Sequence, residues 1–151
     1  MAETHFSGPV TSGDLQSGDT NGPNYGNAVL MQSTSITQNS TTAVSSTLYI
    51  PAGSRILDFK IDVLTAYDSF TSATLSIGTA AGGTQYVSGV DCKTATGRIA
   101  PTFTAAQLAA MDNVSVLGVA APTTAPLVVT ITVVGATTAG YVQVAVLYSQ
   151  L

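Results

Sequence analysis

The chain has 151 residues, of which only 8% are charged, and its formal net charge is −4 at pH 7. This length favours a single domain with a sizeable core. The four basic residues are too few to neutralise a phosphate backbone, so we expect no nucleic-acid partner. No apolar run approaches the roughly 20 residues of a membrane-spanning helix, so we also expect no membrane partner.

The composition favours strands over helices. Glutamate occurs once, at Glu3, and lysine twice, so the charged residues that usually cover solvent-facing helices are scarce. A surface with so few charges is weakly hydrated and carries little net-charge repulsion between copies. We therefore predict an all-β protein whose surface is covered in an assembly. A Ser/Thr-rich monomer surface is the alternative.

Residues 1–27 differ from the rest of the chain, because they are rich in Gly, Ser, Asn and Asp and contain few large apolar side chains. Two interpretations are open: a disordered tail, or an extended arm that becomes ordered against a neighbouring subunit. We favour the arm because Phe6, Pro9 and Val10 form an apolar cluster in a predicted turn. Tyr25 adds a further apolar side chain close to the body of the chain.

The first strands are predicted over residues 28–37 and 42–50. Pro51 and Gly53 then indicate a tight turn, since proline fixes φ and glycine tolerates positive φ. Residues 55–65 alternate most clearly between apolar and polar side chains. The alternation predicts that Leu57, Phe59, Ile61 and Val63 face the core and that Asp58, Lys60 and Asp62 face outward.

The middle of the chain contains shorter predicted elements. Strands are predicted over residues 74–78, 85–90, 98–103 and 114–119. Leu75 and Ile77 are expected to face inward. One short helix is predicted near residues 104–111, because Thr104 and Gln107 have the spacing of a capping box.

The C-terminal strands carry the strongest apolar pattern. Residues 127–134 and 141–148 alternate with period two and are joined by small residues at 135–140, which predicts a β-hairpin. The predicted core-facing side chains are Leu127, Val129, Ile131, Val133, Val142, Val144, Val146 and Tyr148. Burying them does not offset the backbone entropy lost on ordering the two strands, so these strands require a second sheet.

The predicted fold is a two-sheet antiparallel β-sandwich of eight to nine strands. A jelly roll is the expected topology, and a small barrel is the alternative. The predicted organisation is an extended N-terminal arm at residues 1–27, followed by a β-sandwich domain at residues 28–151.

No catalytic, cofactor or metal site is predicted. His5 is the sole histidine and Cys92 the sole cysteine, so a catalytic triad or a zinc ligand set lacks the necessary residues. One cysteine also excludes an intrachain disulfide. We expect Cys92 to be a small semi-buried residue and the protein not to be an enzyme.

Two further patterns leave alternatives open. Asp58 and Asp62 flank Lys60 on one strand face, with alternate residues roughly 6.5–7 Å apart. Such a row has the residue types of a hydrolase carboxylate pair or a Ca²⁺ site, but we favour a solvated or intersubunit salt-bridging face. The six tyrosines allow a carbohydrate-stacking platform, which the lack of tryptophan makes weaker.

Several segments resemble small virion proteins of tailed bacteriophages. The opening segment Phe6-Ser7-Gly8-Pro9-Val10 is similar to the start of such proteins. In the body, the similar segments are residues 48–56, 75–79, 86–91 and 140–148. Together they resemble the capsid decoration (cement) proteins that sit on icosahedral heads. No functional residue is transferred, because that group is recognised by turns and strands.

This resemblance implies a non-enzymatic protein on the capsid outer surface of the virion, synthesised in the host cytoplasm. It would stabilise the shell by bridging subunits of the major capsid protein, and would associate with itself as a homodimer or homotrimer. Phe6, Pro9, Val10 and Tyr25 are the candidate capsid contacts. The alternative is a receptor- or glycan-binding β-sandwich module of a phage head or tail fibre.

Overall fold

The computed structural model describes residues 28–38, 43–51, 54–94, 96–113 and 124–150, which form eight strands and one helix. The strands are β1 (Val29–Thr37), β2 (Ala43–Pro51), β3 (Ser54–Thr65), β4 (Ser72–Gly78), β5 (Val87–Asp91), β6 (Gly97–Ile99), β7 (Thr124–Val134) and β8 (Tyr141–Gln150). The helix α1 spans Ala105–Asn113. The prediction of an all-β chain with one short helix is confirmed.

The strands form two four-stranded antiparallel sheets. The first sheet has the order β1-β8-β3-β6, and the second has the order β2-β7-β4-β5. Side chains from the inner faces of both sheets, such as Phe59 and Val144 of the first sheet and Leu75 and Val129 of the second, join one buried core. The predicted β-sandwich is confirmed.

The strand pairs are nested along the chain. The first strand pairs with the last, β2 with β7, β3 with β6, and β4 with β5. The additional pairs β3–β8 and β4–β7 join these four ladders into two sheets. Most of the pairing is therefore long-range in sequence, and local turns alone do not specify it.

The predicted C-terminal hairpin is wrong, although both of its strands and their core-facing residues are correct. Strand β7 lies between β2 and β4 in the second sheet, whereas β8 lies between β1 and β3 in the first. The connecting residues 135–140 cross from one sheet to the other. Six extended residues reach about 20 Å, which is enough to cross the roughly 10 Å between packed sheets. Alternation defines the buried face of a strand but not its neighbour.

The prediction that Leu57 faces the core is also wrong. Ile56 pairs with Tyr148 and Asp58 pairs with Leu147, so Leu57 is an extra residue in a β-bulge of strand β3. The bulge reverses the alternation. Ile56 is buried before it and Phe59 after it, while Leu57 is 42% exposed.

Other predicted elements are partly confirmed. Strand β5 runs from Val87 to Asp91, and β6 covers only Gly97–Ile99 of the region predicted as 98–103. Pro101 follows β6 and has no N–H for a ladder hydrogen bond, while Phe103 packs against the core. The strand predicted at 114–119 lies outside the described residues.

The capping box of α1 is confirmed by reciprocal hydrogen bonds. The backbone N–H of Thr104 donates to Oε1 of Gln107 at 2.9 Å, and the N–H of Gln107 donates to Oγ1 of Thr104 at 3.3 Å. The side-chain amide of Gln107 also donates to the carbonyl of Thr84 at 3.2 Å. The cap therefore attaches the helix to the loop between β4 and β5.

The sandwich has two distinct ends. What we call the loop end contains Gln38 and the described residues of the loops at 66–71, 92–96 and 135–140, which connect one sheet to the other. What we call the terminal end contains the start of β1, the end of β8 and helix α1. Ala28, where the described part of the chain begins, therefore lies at the terminal end.

Candidate interaction surfaces

The four predicted capsid contacts, Phe6, Pro9, Val10 and Tyr25, lie outside the described residues, as does His5. The described part of the chain begins at Ala28. Strand β1 is an edge strand of the first sheet, and Val29 at its start pairs with Ser149 near the end of β8. The first described residues, Ala28 and Val29, therefore lie at a sheet edge.

The row of charges on β3 is paired within the chain. Lys60 Nζ lies 2.5 Å from Asp58 Oδ2, and Arg98 Nε of the neighbouring strand β6 lies 3.0 Å from Asp62 Oδ1. Both carboxylates lie on an open sheet face and have a cationic partner. This arrangement agrees with the favoured salt-bridging face, although the ion pairs are within one chain rather than between subunits.

Two of the ion-pair partners could not be inferred from the sequence. Arg98 is 36 residues from Asp62, and Arg55 lies 57 residues from Asp112, to which its guanidinium binds at 2.6 Å. The Arg55–Asp112 pair joins β3 to the last turn of α1. No local spacing pattern relates residues so far apart.

Cys92 is fully buried, and its thiol lies 3.7 Å from the carbonyl oxygen of Val90. Burial, with a smaller contribution from the nearby charge of Asp91, raises the pKa of Cys92 to about 12. A thiol of this kind is a poor nucleophile at neutral pH. Among the described residues, no three His, Cys, Asp or Glu side chains are grouped as metal ligands.

An exposed apolar patch lies on the outer face of the first sheet at the terminal end. We define this apolar patch as the exposed residues Val29, Met31 and Leu57 together with the half-buried Leu147 between them. Met31 of β1 pairs directly with Leu147 of β8. On its other side Leu147 pairs with Asp58 of β3, and Leu57 is the bulged residue just before Asp58. Val29 is 59% exposed and Met31 65% exposed. The sequence does not predict this patch, because the bulge at Leu57 has no signal in the alternation.

The outer face of the second sheet is different in character. It consists largely of Ser and Thr from β2, β4 and β7, including Ser45, Thr74 and Thr132, together with the exposed ring of Tyr49. The loop after β4 covers part of this face, because the N–H of Gly82 donates to Oγ1 of Thr130 at 2.9 Å. This contact explains why Thr130 is buried although it points away from the core.

The loop end is closed by hydrogen bonds between crossover loops. Asp68 accepts hydrogen bonds from the N–H groups of Thr138 and Ala139 at 2.8 and 3.0 Å, and from the Thr138 hydroxyl at 2.5 Å. These bonds lower the pKa of Asp68 to about 2, and the bond from the Thr138 hydroxyl has the largest effect. The hydroxyl of Tyr67 donates to the carbonyl of Ile36 at 2.9 Å.

Phe70 projects from the same end and is 89% exposed. The Lys93 ammonium group donates to the carbonyls of Phe70 and Thr71 at 3.0 and 3.3 Å, and the N–H of Thr71 donates to the carbonyl of Val134 at 3.1 Å. The backbone on the C-terminal side of this ring is therefore held in place by three hydrogen bonds.

The tyrosines of the described residues do not form a stacking platform. Tyr67, Tyr86 and Tyr148 are buried in the core. Tyr49 is exposed on the second sheet at the terminal end, whereas Tyr141 begins β8 in the first sheet at the loop end. The two accessible rings are therefore on different sheets and at different ends.

Comparisons with known proteins support the fold. The structure is similar to a chain of the "Cyanophage Pam1 capsid asymmetric unit", with a TM-score of 0.53 and 21% sequence identity, over 94% of this chain and 98% of that one. Neither a protein-family model nor a curated protein matches the sequence. In the described part of the chain, no helix is long and apolar enough to span a membrane.

Proposed function

We propose that this protein is a non-enzymatic structural protein of a bacteriophage virion. It binds the outer surface of the head and stabilises the shell by bridging subunits of the major capsid protein. The observation that carries the proposal is the likeness in fold, over 94% of the chain, to a chain of a cyanophage capsid unit. The segments that resemble decoration proteins and the charge-poor surface give further support.

We further propose that the β-sandwich is a jelly roll, an architecture found among viral capsid proteins. Its support is the nested pairing of β1 with β8, β2 with β7, β3 with β6 and β4 with β5. A long hairpin that rolls up into two sheets produces this order. The resulting body, residues 28–151, provides a rigid domain for attachment to a shell.

We propose that residues 1–27 form an extended arm. The arm joins the body at an edge strand beside the apolar patch, so it leaves the sandwich at the terminal end. When extended, 27 residues reach up to about 90 Å, enough to cross onto a neighbouring capsid subunit. Phe6, Pro9, Val10 and Tyr25 are its proposed capsid contacts.

The proposed partners are the major capsid protein and further copies of this chain, with no nucleic acid or membrane among them. The engagement of the four basic side chains supports this choice. Arg55, Lys60 and Arg98 bind carboxylates, and Lys93 binds two backbone carbonyls. Little positive charge remains to contact phosphates.

The proposal is tested with purified protein and phage heads that lack it. We expect the wild-type protein to co-sediment with the heads and to raise the temperature at which they rupture. The double variant Phe6→Ser/Val10→Ser is expected to bind less while its body unfolds at the wild-type temperature. Phe70→Ser removes a comparable ring at the loop end and is the control. Heads that stay uncoated by the wild-type protein would overturn the proposal.

A receptor- or glycan-binding role is the second candidate, and the exposure of Phe70 favours it. This ring lies at the end opposite the proposed arm. Lys93 donates to the Phe70 carbonyl, and the next N–H, of Thr71, donates to the carbonyl of Val134. A preorganised aromatic ring suits stacking on a sugar face. The candidate predicts reproducible binding on a glycan array that Phe70→Ser abolishes and Tyr49→Ser leaves intact.

A further inference from the structure

The four edge strands of the sandwich are protected to different degrees. Strands β1 and β6 are the edges of the first sheet, and β2 and β5 are the edges of the second. Strand β6 has three residues, and β5 has five, with a register shift in its pairing and a positive φ at Gly89. Short edge strands and bulges hinder pairing with another chain. Strands β1 and β2 have nine residues each and pair with their neighbours without a register shift.

Strand β1 is the least protected of these edges. It contains no charged residue and no proline, whereas β2 ends at Pro51. Strand β8 occupies one side of β1, and in the described part of the chain no strand occupies the other. Alternate residues of an antiparallel strand direct their N–H and C=O groups to the same side. About half of the residues of β1 therefore present backbone donors and acceptors at an open sheet edge.

The core is incompletely covered along this edge. Leu30 pairs with Tyr148 and lies on the same inner face, yet Leu30 is 40% exposed and Tyr148 only 4%. Nearer the loop end of the same inner face, Ile36 is 3% exposed. The inner residues Leu48 and Ile50 of the other long edge strand, β2, are buried. Of the two long edges, β1 is therefore the one that leaves a core-facing leucine open, and it does so at the terminal end.

We propose that the terminal half of β1 accepts an extended segment of another protein as an additional strand of the first sheet. Strand addition derives affinity from backbone hydrogen bonds and specificity from alternate side chains. The added strand bonds to the open backbone edge and places an apolar side chain over Leu30. Its inner face carries no charge, because a charge there would lie unpaired against apolar surface. The identity of the donor as the major capsid protein rests on the proposed function.

The side chains of β1 predict the pattern of the donor strand. On the outer face, the exposed residues are the large apolar Val29 and Met31, followed by the small Ser33 and Ser35. Neighbouring side chains on one face of a sheet are the pairs that stabilise it. We expect the donor to carry apolar side chains beside Val29 and Met31, and small or hydroxyl side chains toward the loop end.

Two other occupants fit this edge less well. Antiparallel pairing of the whole of β1 with β1 of a second copy places Val29 opposite Thr37 and Met31 opposite Ser35, so that large apolar side chains face hydroxyl groups. The chain's own residues 1–27 are rich in Gly, Asn and Asp, which are depleted in strands. A separate protein is therefore the favoured donor.

The test uses the full-length protein and a short synthetic peptide of alternating valine and threonine, with lysines outside the paired segment for solubility. Backbone amide NMR is expected to show peptide-dependent shifts around Leu30 and Met31. Hydrogen exchange should slow by about tenfold or more at the amides of β1 that are not bonded to β8. The edge strand β5 should be unchanged. The same peptide with its backbone amides N-methylated keeps its side chains but loses its donors, and is expected not to bind.

A pair of variants isolates the edge. Leu30→Lys places a charge on the inner side of β1, a feature by which natural sheets prevent strand addition, and should weaken peptide binding by about tenfold or more. Tyr49→Lys changes an exposed residue of the other long edge at the same end and should bind like the wild type. Thermal unfolding checks that both variants are folded. If Leu30→Lys does not fold, Leu30→Ser replaces it, with a smaller loss in the same direction.

Hydrogen exchange of the protein bound to phage heads then tests the donor, and slower exchange in β1 is expected. The inference is overturned if β1 shows no peptide-dependent shift up to about millimolar peptide, if the N-methylated peptide binds equally well, or if Leu30→Lys binds like Tyr49→Lys. Unprotected β1 in head-bound protein would also overturn it.

Protection of the open edge of β1 in the free protein contradicts the inference in two distinguishable ways. Protection that disappears on dilution indicates a second copy, and protection at every dilution indicates residues 1–27. Heads that do not bind the protein would overturn the proposed function, whereas the peptide titration still decides whether β1 accepts a strand. The two failures are therefore distinguishable.

Discussion

The loop end and the terminal end of the sandwich differ in how they meet solvent. At the loop end, crossover loops are joined to one another through Asp68, Tyr67 and Gln38, whose side-chain amide donates to the carbonyl of Thr138 at 2.8 Å. At the terminal end, apolar side chains of β1 and β3 remain exposed beside charges that are already paired. We therefore expect substitutions at the loop end to change stability and those in the exposed terminal patch to leave it nearly unchanged.

The largest expected effect is at the loop end, for Gly140→Ala. Gly140 has φ +149°, and a Cβ there would lie 2.4 Å from Cδ1 of Tyr67. Backbone strain and the steric clash together should lower the free energy of unfolding by about 3–5 kcal/mol in urea denaturation. Gly82→Ala is the control, because its φ is +74° with no heavy atom within 4 Å of a new Cβ. The free energy of unfolding of this control should fall by only about 1–2 kcal/mol. Equal losses for the two variants would show that the Tyr67 ring moves to accommodate the new Cβ.

Two adjacent residues of β3, Ile56 and Leu57, belong to the core and to the terminal patch respectively, and their substitutions are expected to have the second largest difference in effect. Ile56→Ala should lower the free energy of unfolding by about 2–4 kcal/mol, because it leaves a cavity in the core. Leu57→Ala should change it by no more than about 0.5 kcal/mol. Denaturant titration of both variants tests the bulge. A larger loss of stability for Leu57→Ala than for Ile56→Ala would show that Leu57, not Ile56, faces the core.

Tyr67→Phe is expected to have the next largest effect. It leaves the buried carbonyl of Ile36 without the hydrogen bond that it now accepts at 2.9 Å. We expect a loss of about 1–3 kcal/mol in the free energy of unfolding. Tyr49→Phe, on an exposed ring at the terminal end, is the control and should change stability by less than about 0.5 kcal/mol. A neutral Tyr67→Phe would show that the loop end is less rigid than its hydrogen bonds indicate.

The helix cap at the terminal end should contribute less. Thr104→Ala removes the side-chain half of the capping box and is expected to cost about 1 kcal/mol of unfolding free energy. Thr102→Ala removes an exposed hydroxyl outside the helix and should be neutral in the same thermal and denaturant measurements. If both variants behave alike, the cap does not stabilise the body.

The smallest effect is expected from the titration of Asp68, and its sign follows from the lowered pKa. The carboxyl has a pKa of about 2 in the folded protein, against an ordinary value of 3.8. Its contribution to stability is therefore complete above pH 4 and is lost as the pH falls toward 2. Asp68→Asn should flatten the pH dependence of stability in this window, and carboxyl NMR of the wild type should show a titration midpoint near 2. A midpoint near 3.8 would contradict the hydrogen-bonded loop end.

Much of the fold was accessible from the sequence because strands leave a local signal. The alternating residues of 127–134 and 141–148 identified both the strands and their buried faces, and Thr104 with Gln107 identified the start of the helix. The pairing of β7 and β8 was not accessible in this way. A strand's partner depends on which other buried faces it meets, and those lie many residues away.

The candidate surface was predicted less well than the fold. The paired row Asp58–Lys60 was recognised as a salt-bridging face, but its extension to Arg98 depends on a strand 36 residues further on. The apolar patch was missed because Leu57 follows the pattern of a core residue. The roles of Phe6, Pro9, Val10 and Tyr25 remain predictions for the binding experiment.

The amino-acid sequence by itself determined that this protein is an all-β sandwich with a short capped helix, few charges and a single cysteine. Period-two alternation is a property of neighbouring residues, and composition is a count over the chain, so neither depends on tertiary contacts. Only the tertiary structure decided that the last two strands lie in different sheets, that Leu57 points outward and that three of the four basic side chains are paired with carboxylates on or beside one face. The physical reason is that pairing, bulges and ion pairs depend on contacts between residues distant in the chain.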